Sequence, residues 1–314
     1  MAEKLHGYQL KTPFQTQNAG FSRWAVAAKQ GREYVLKEFF NPIYPDEGTL
    51  SESMRQTRIR DCEEYERERE ALYAAINRVA DGNIVKVHEF FRHDSHYYLA
   101  TPRIPEPVTD MKQIAALEPE QKILLCRTAA HSLAQLHSAG IVHSDIKDSN
   151  LLVKKTASGN YTAKLLDFDC SFFADSMPED MEELGGDQVY LAPEACRFLC
   201  GDEVDLTCKM DVFSLGLLFH QYLTGELPGF DAEEYGYAHE AVLSGSALTI
   251  PETVPAPLRE LLERMLESDP ERRCSAAEAF EALGAFLPDQ PPEPEPEPEP
   301  ESPADSLFTA AGDL

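Results

Sequence analysis

Two acids, a lysine and an asparagine crowd into Asp145-Ile146-Lys147-Asp148-Ser149-Asn150, and two more acids follow at Asp167-Phe168-Asp169. Apolar runs border them: Ile141-Val142 before, Leu151-Leu152-Val153 after, and Leu165-Leu166 ending at Asp167. Short strands there would hold the polar groups on turns between rigid neighbours. That set suits phosphoryl transfer, in which a protein aligns a hydroxyl with a terminal phosphate and neutralises charge with metal ions and a lysine. Asp145 would accept or orient the hydroxyl proton. Lys147 would lie beside the moving phosphate, and Asn150 and Asp167 would hold magnesium.

Other elements must present the phosphate to this stretch. Trp24-Ala25-Val26-Ala27 and Tyr34-Val35-Leu36-Lys37-Glu38-Phe39 flank Lys29-Gln30-Gly31-Arg32, which reads as a hairpin. Period two puts Val35 and Lys37 on one face, and a lysine on a half-buried face requires a carboxylate or phosphate partner. Thr49-Leu50-Ser51-Glu52 has capping-box spacing, so a long charged helix is expected from there towards Val79. Ile84 to Phe91 and His96 to Thr101 read as strands, and Pro102-Arg103-Ile104-Pro105 breaks the pattern. Ile123, Leu124, Ala130, Leu133 and Leu136 recur at helical spacing between Glu118 and Ser138, and Gly140 closes that helix.

In this order, about residues 8 to 287 resemble the eukaryotic-like (Hanks-type) serine/threonine protein kinase superfamily. His143 to Asn150 is similar to its catalytic loop and Asp167 to Asp169 to its metal motif. Ala192-Pro193-Glu194, Asp211 to Gly216 and Asp269 to Arg273 match three later motifs. The resemblance implies an α+β bilobal fold, with a small β-rich N-lobe carrying one regulatory helix and a larger, mainly helical C-lobe. The expected division is 1–102, 103–287 and a Pro-Glu tail from 288 to 314. It also implies ATP and Mg2+ as cofactors. Lys37 would orient the inner phosphates, held by Glu68, or by Glu64 one turn earlier. Gly20 and Ser22 would lie in the loop over ATP, with Val35 beside the nucleotide and Thr101 guarding the back of the pocket. Arg103 would sit at the hinge, with backbone groups free for adenine. Asp211 would accept bonds from the catalytic-loop backbone, and Glu194 would pair with Arg273. Lys147 points to serine or threonine acceptors on a protein substrate.

The chain departs from the family pattern at four places. Ser144 replaces the arginine that receives a phosphate on the gating segment. The only hydroxyls from Asp167 to Glu194 are Ser171, Ser176 and Tyr190, so activity is expected without phosphorylation there. Asp169 replaces a glycine, which restricts the backbone. Asp187 replaces a threonine and is placed to bond Lys147, and Asn18-Ala19-Gly20-Phe21-Ser22 keeps one glycine of three. These departures leave a pseudokinase, a nucleotide-binding interaction module, as one alternative. A small-molecule hydroxyl kinase is another, and the Glu194 and Arg273 pair argues against it.

Net charge is -27, and eight acids with no base lie between Asp289 and Asp313. Such a surface disfavours nucleic acid and anionic membrane as partners. Acids at Asp175, Glu179, Asp180, Glu182 and Glu183 suit basic residues near a target hydroxyl. The repeats from Pro292 to Glu301 read as an extended spacer and a candidate partner site. Seven cysteines without a CxxC pair, behind Met1-Ala2-Glu3-Lys4, lead us to expect a cytoplasmic protein.

Overall fold

Gln30 and Gly31 both take positive φ, 52° and 80°, and so join β3 (Ser22–Lys29) to β4 (Arg32–Phe39) through a two-residue turn. Positive φ at both central residues matches the right-handed twist of the strands it connects. The computed structural model describes residues 4–287 apart from 18, 19, 47, 49, 180, 182 and 183. Asn18 and Ala19 of the loop over ATP, Thr49 of the expected capping box, Asp180, Glu182, Glu183 and the Pro-Glu tail therefore lie outside the described residues.

With β1 (Lys4–Leu5), β2 (Tyr8–Leu10), β5 (Glu89–His93) and β6 (His96–Pro102), the hairpin forms a six-stranded antiparallel sheet. Its order is β1-β2-β3-β4-β6-β5. Alternation gives each face its own core. Tyr34, Leu36, Tyr98 and Ala100 pack with Tyr8 and Phe91 on the outer face. Lys37 lies opposite Leu99, and Val35 opposite Thr101, on the inner one.

The segment from Ile84 to His88, expected as strand, reaches the sheet only at its end, where His88 N–H donates to Ala100 O at 2.9 Å. The Asn77 side-chain amide takes both the N–H and the C=O of Val87, each at 2.8 Å. Val85 N–H donates instead to Leu165 O at 2.8 Å. With Val87 held by a side chain and Val85 by Leu165, these groups do not extend the ladder of the six-stranded sheet.

Helix α1 (Glu52–Val79) starts at Ser51 and buries Cys62, Leu72, Tyr73, Ala75 and Ile76 against the inner face. Tyr65 and Tyr73 complete an aromatic wall with Phe90 and Tyr97; Tyr65 sits 5.3 Å from Tyr97 and Tyr73 5.4 Å from Phe90. Spacings of eight and eleven residues return to one side of a helix, so residues 65, 69, 73 and 76 share the inward stripe.

The larger lobe is helical: α2 (Met111–Ala115), α3 (Pro119–Ser138), α4 (Pro193–Leu199), α5 (Cys208–Thr224), α6 (Ala238–Leu243), α7 (Ala256–Met265) and α8 (Ala276–Gly284). Helix α5 is buried nearly all round; Thr207 caps its start and Gly225, at φ 91°, ends it in the left-handed region. A Cβ on Gly216 would lie 3.0 Å from Met265, so only glycine lets α5 approach α7 this closely. Two small antiparallel pairs complete the lobe: β7 (Ile141–Val142) with β10 (Phe172–Phe173), and β8 (Leu151–Lys155) with β9 (Tyr161–Leu165). The fold is thus α+β and bilobal, with a β-rich small lobe and a helical large one.

Candidate active site

The turn from β7 to β8 carries residues 143 to 150. Asp211, 1% exposed at the start of α5, accepts from His143 N–H at 2.7 Å and Ser144 N–H at 2.8 Å. His137 Nε2 lies 2.9 Å from the same carboxylate. These bonds hold Ser144 at φ 71°, a conformation that non-glycine residues keep only when their surroundings over-determine it. Asp145 follows. Asn150 Nδ2 donates to its backbone oxygen and to Oδ2, both at 2.8 Å, and Lys147 Nζ lies 2.7 Å from Oδ2. Oδ1 of Asp145 is buried and accepts no bond among the described residues. One carboxylate oxygen is fixed and the other is spare, as a hydroxyl-orienting acid requires.

The second turn, from β9 to β10, puts Asp167 at φ 70°. Leu166 N–H donates to Asn150 O at 3.0 Å, tying the two turns together. Phe168 is buried edge-on to His143, whose Nε2 is 3.1 Å from Leu166 O. Lys37 crosses from the small lobe and meets two carboxylates, Asp167 Oδ1 at 2.5 Å and Asp169 Oδ2 at 2.7 Å.

The structure corrects the expected partner of Lys37. Glu68 is exposed and, like Glu64, makes no contact with Lys37 among the described residues. Adjacent helix positions differ by about 100°, so Arg69 takes the inward place beside Glu68. Arg69 Nη1 donates to the main-chain oxygens of Asp169 at 3.0 Å and Ser171 at 3.3 Å, and its guanidinium lies 5.6 Å from the Tyr65 ring centre. Sequence reasoning missed Arg69. The signal was its position midway between Tyr65 and Tyr73 on the aromatic stripe.

Electrostatics follow from this crowding. Burial works against a charged Lys37, but Asp169 and Asp167 outweigh it and hold the ammonium above its usual range. Burial likewise opposes ionised Asp167, and Lys37 more than offsets it, so this carboxyl is lowered. Asp169 is raised, first by burial and then by the Asp167 charge. Lys147 is raised because its bond to Asp145 outweighs its own desolvation. Burial pushes the Cys170 thiol up to about 12, which makes it an inert neighbour.

A pocket of about 480 Å³ opens between Gly20, Lys147, Leu152, Val108 and Asp187. Of the expected nucleotide contacts Gly20 lines it, and Lys37, Glu68, Ser22, Val35, Thr101 and Arg103 do not. Ser22 is fully buried opposite Phe39 at the start of β3. Arg103 pairs with Glu33 at 2.6 Å, and its N–H donates to Glu33 O at 3.1 Å. The backbone amide expected to be free for adenine is therefore engaged. Asp187 accepts from Val189 N–H at 2.9 Å and faces the pocket without bonding Lys147. Among the described residues no group of three or more histidine, cysteine or acidic side chains is gathered for a metal. Magnesium is commonly bound by one or two carboxylates together with substrate phosphates, which Asp167 and Asn150 suit.

Deeper in the large lobe, Arg273 grips Glu194 at 2.7 and 3.1 Å, both residues buried. A model of the protein kinase domain matches residues 51–283. The chain belongs to that family. The kinase domain is 30% identical over 267 residues to the serine/threonine-protein kinase PkaA of Streptomyces coelicolor, covering 83% of this chain and 44% of that protein. It is 27% identical over 282 residues to the serine/threonine-protein kinase pkn2 of Myxococcus xanthus, covering 82% and 30%. The serine/threonine-protein kinase PSK2 of Saccharomyces cerevisiae is 28% identical over 218 residues, covering 67% and 18%. The chain therefore spans less than half of each of these relatives. The family match begins at residue 51, so the place of Lys37 rests on geometry alone.

Proposed function

We propose that this kinase domain transfers the γ-phosphate of Mg-ATP to serine or threonine hydroxyls of a protein substrate. The supporting observation is Asp145, clamped through Oδ2 by Asn150 and Lys147 while Oδ1 has no partner among the described residues. Oδ1 would take the hydroxyl proton, and the clamp would keep the carboxylate in one orientation. Lys147 would balance charge gathering on the transferred group. Asp167 and Asn150 would hold magnesium, which when bound supplies neutralisation of the triphosphate. Lys37 would fix the inner phosphates from the sheet side, with Val35 and Thr101 beside it and Gly20 above. We place the lobes at 1–102 and 103–287. Seven unpaired cysteines support a reducing compartment such as the cytoplasm. No helix among the described residues is long and apolar enough to cross a membrane.

Labelled ATP with a basic generic substrate tests the reading: label should appear in protein. Asp145→Asn should lower turnover by about 100-fold or more, with calorimetric affinity for Mg-ATP unchanged. Equal loss of both would contradict the role given to Asp145. Nucleotide binding without turnover in the unaltered protein would mark it as a binding module.

A further inference from the structure

Protein kinases ordinarily hold the phosphate-binding lysine with a glutamate from the small-lobe helix. Here that helix presents Arg69 on its inward stripe, and the carboxylates at Lys37 come from the segment after β9. Two acids share the lysine, and they are not equivalent. Asp167 is the magnesium-binding candidate, so bound metal would draw on it. Asp169 is the acid left to hold Lys37 once Asp167 is engaged. We infer that Asp169 is the positioning residue for Lys37 in this protein, and that Arg69 secures Asp169 from behind. The ion pair has thus moved from the helix to the metal motif.

Two geometric features and one of charge carry this. Asp169 Oδ2 lies 2.7 Å from Lys37 Nζ, and both side chains are 14% exposed, so the pair is shielded from solvent. Arg69 donates to the main-chain oxygen of Asp169 itself, leaving the Asp169 carboxylate for Lys37. The two departures also compensate in charge. An arginine replaces an acid on the helix, and an acid replaces a glycine after Phe168. Either change alone would leave two buried cations facing each other, or two acids beside Asp167. Together they set two cations, Lys37 and Arg69, against two carboxylates, Asp167 and Asp169, so neither sign is in excess.

The inference rests on the proposed nucleotide role of Lys37, and the test separates the two. Affinity for Mg-ATP is measured by calorimetry, and KM and kcat by label transfer, on the full chain. Asp169→Asn keeps the side-chain shape and removes the charge, and Asp169→Gly is the second variant in case the first folds poorly. Each should weaken Mg-ATP binding about 10-fold or more and lower kcat/KM about 100-fold, because a mispositioned Lys37 misplaces the phosphates. The deficit should persist at any magnesium concentration. Adding Arg69→Glu to Asp169→Gly should recover at least half of the loss on a logarithmic scale, since the new carboxylate occupies the inward place on α1. Constants for Asp169→Asn within about twofold of the unaltered protein would overturn the inference. So would a deficit abolished by raising free magnesium, which would make Asp169 a metal ligand through its unpartnered Oδ1. A double variant no better than Asp169→Gly would overturn it too. Loss of the underlying nucleotide reading looks different: Lys37→Ala would then bind Mg-ATP as well as the unaltered protein.

Discussion

Arg273 shows how much of the large lobe hangs on a single side chain. Besides both oxygens of Glu194, it donates to the main-chain oxygens of Lys209 at 2.6 Å and Glu267 at 2.8 and 3.0 Å. Removing one member of a buried pair leaves an uncompensated charge, so Arg273→Ala should cost about 3–5 kcal/mol of stability. Urea unfolding would show it as a lower midpoint with an unchanged slope. A Glu194→Leu/Arg273→Met double variant should lose less than the sum of its parts, since neither charge is then orphaned. At this scale the sequence was informative wherever neighbours in the chain are neighbours in space. Asp145, Lys147 and Asn150 lie on one turn, and Asp167 closes the next. Glu68 was a different problem. Along α1 arginines and glutamates alternate, and a shift of one residue turns a side chain from solvent to cleft. Charge pattern alone could not fix that rotation; the aromatic spacing could.

At the scale of elements, the gating segment from Asp167 to Glu194 is tied down by bonds that need no added phosphate. Ser144 Oγ, standing where an arginine is usual, donates to Gly185 O at 3.2 Å. Ser171 is buried and donates to His143 O at 3.1 Å. Tyr190 is buried and donates to Gln221 at 2.6 Å. Of the three hydroxyls in the segment only Ser176 is exposed. Phosphatase treatment should therefore leave label transfer intact, as should Ser176→Ala; loss of all turnover after either would show that the segment needs phosphate. The hairpin, the helices and the A-P-E motif followed from period and composition. The stretch from 84 to 88 did not, because Val87 is paired with the amide of Asn77, a side chain on a helix. No pattern of apolar residues announces that bond.

Across the whole molecule, two buried histidines set an acid limit. His220 donates through Nδ1 to Glu226 O at 2.7 Å, and its Nε2 has no partner among the described residues. His239 stacks on Tyr237, and its Nδ1 likewise has none there. Burial holds both below the usual histidine range. Unfolded, each would take a proton near pH ~6.5, while folded it resists, so the unfolded chain binds more protons below that pH. The stability they supply is complete above pH ~6.5 and is lost as pH falls towards their folded values. Tm should decline from about pH 7 to about pH 5, and His220→Gln/His239→Gln should flatten that decline. The two lobes also have a fastener that drift in sequence would find hard to undo. Arg69 hooks the small lobe to oxygens at 169 and 171 that every amino acid supplies, whatever its side chain. Replacements at those two places would come and go while the hook still found its eye. Anyone wishing to let the lobes swing apart must release this arginine as well as the Lys37 ion pairs.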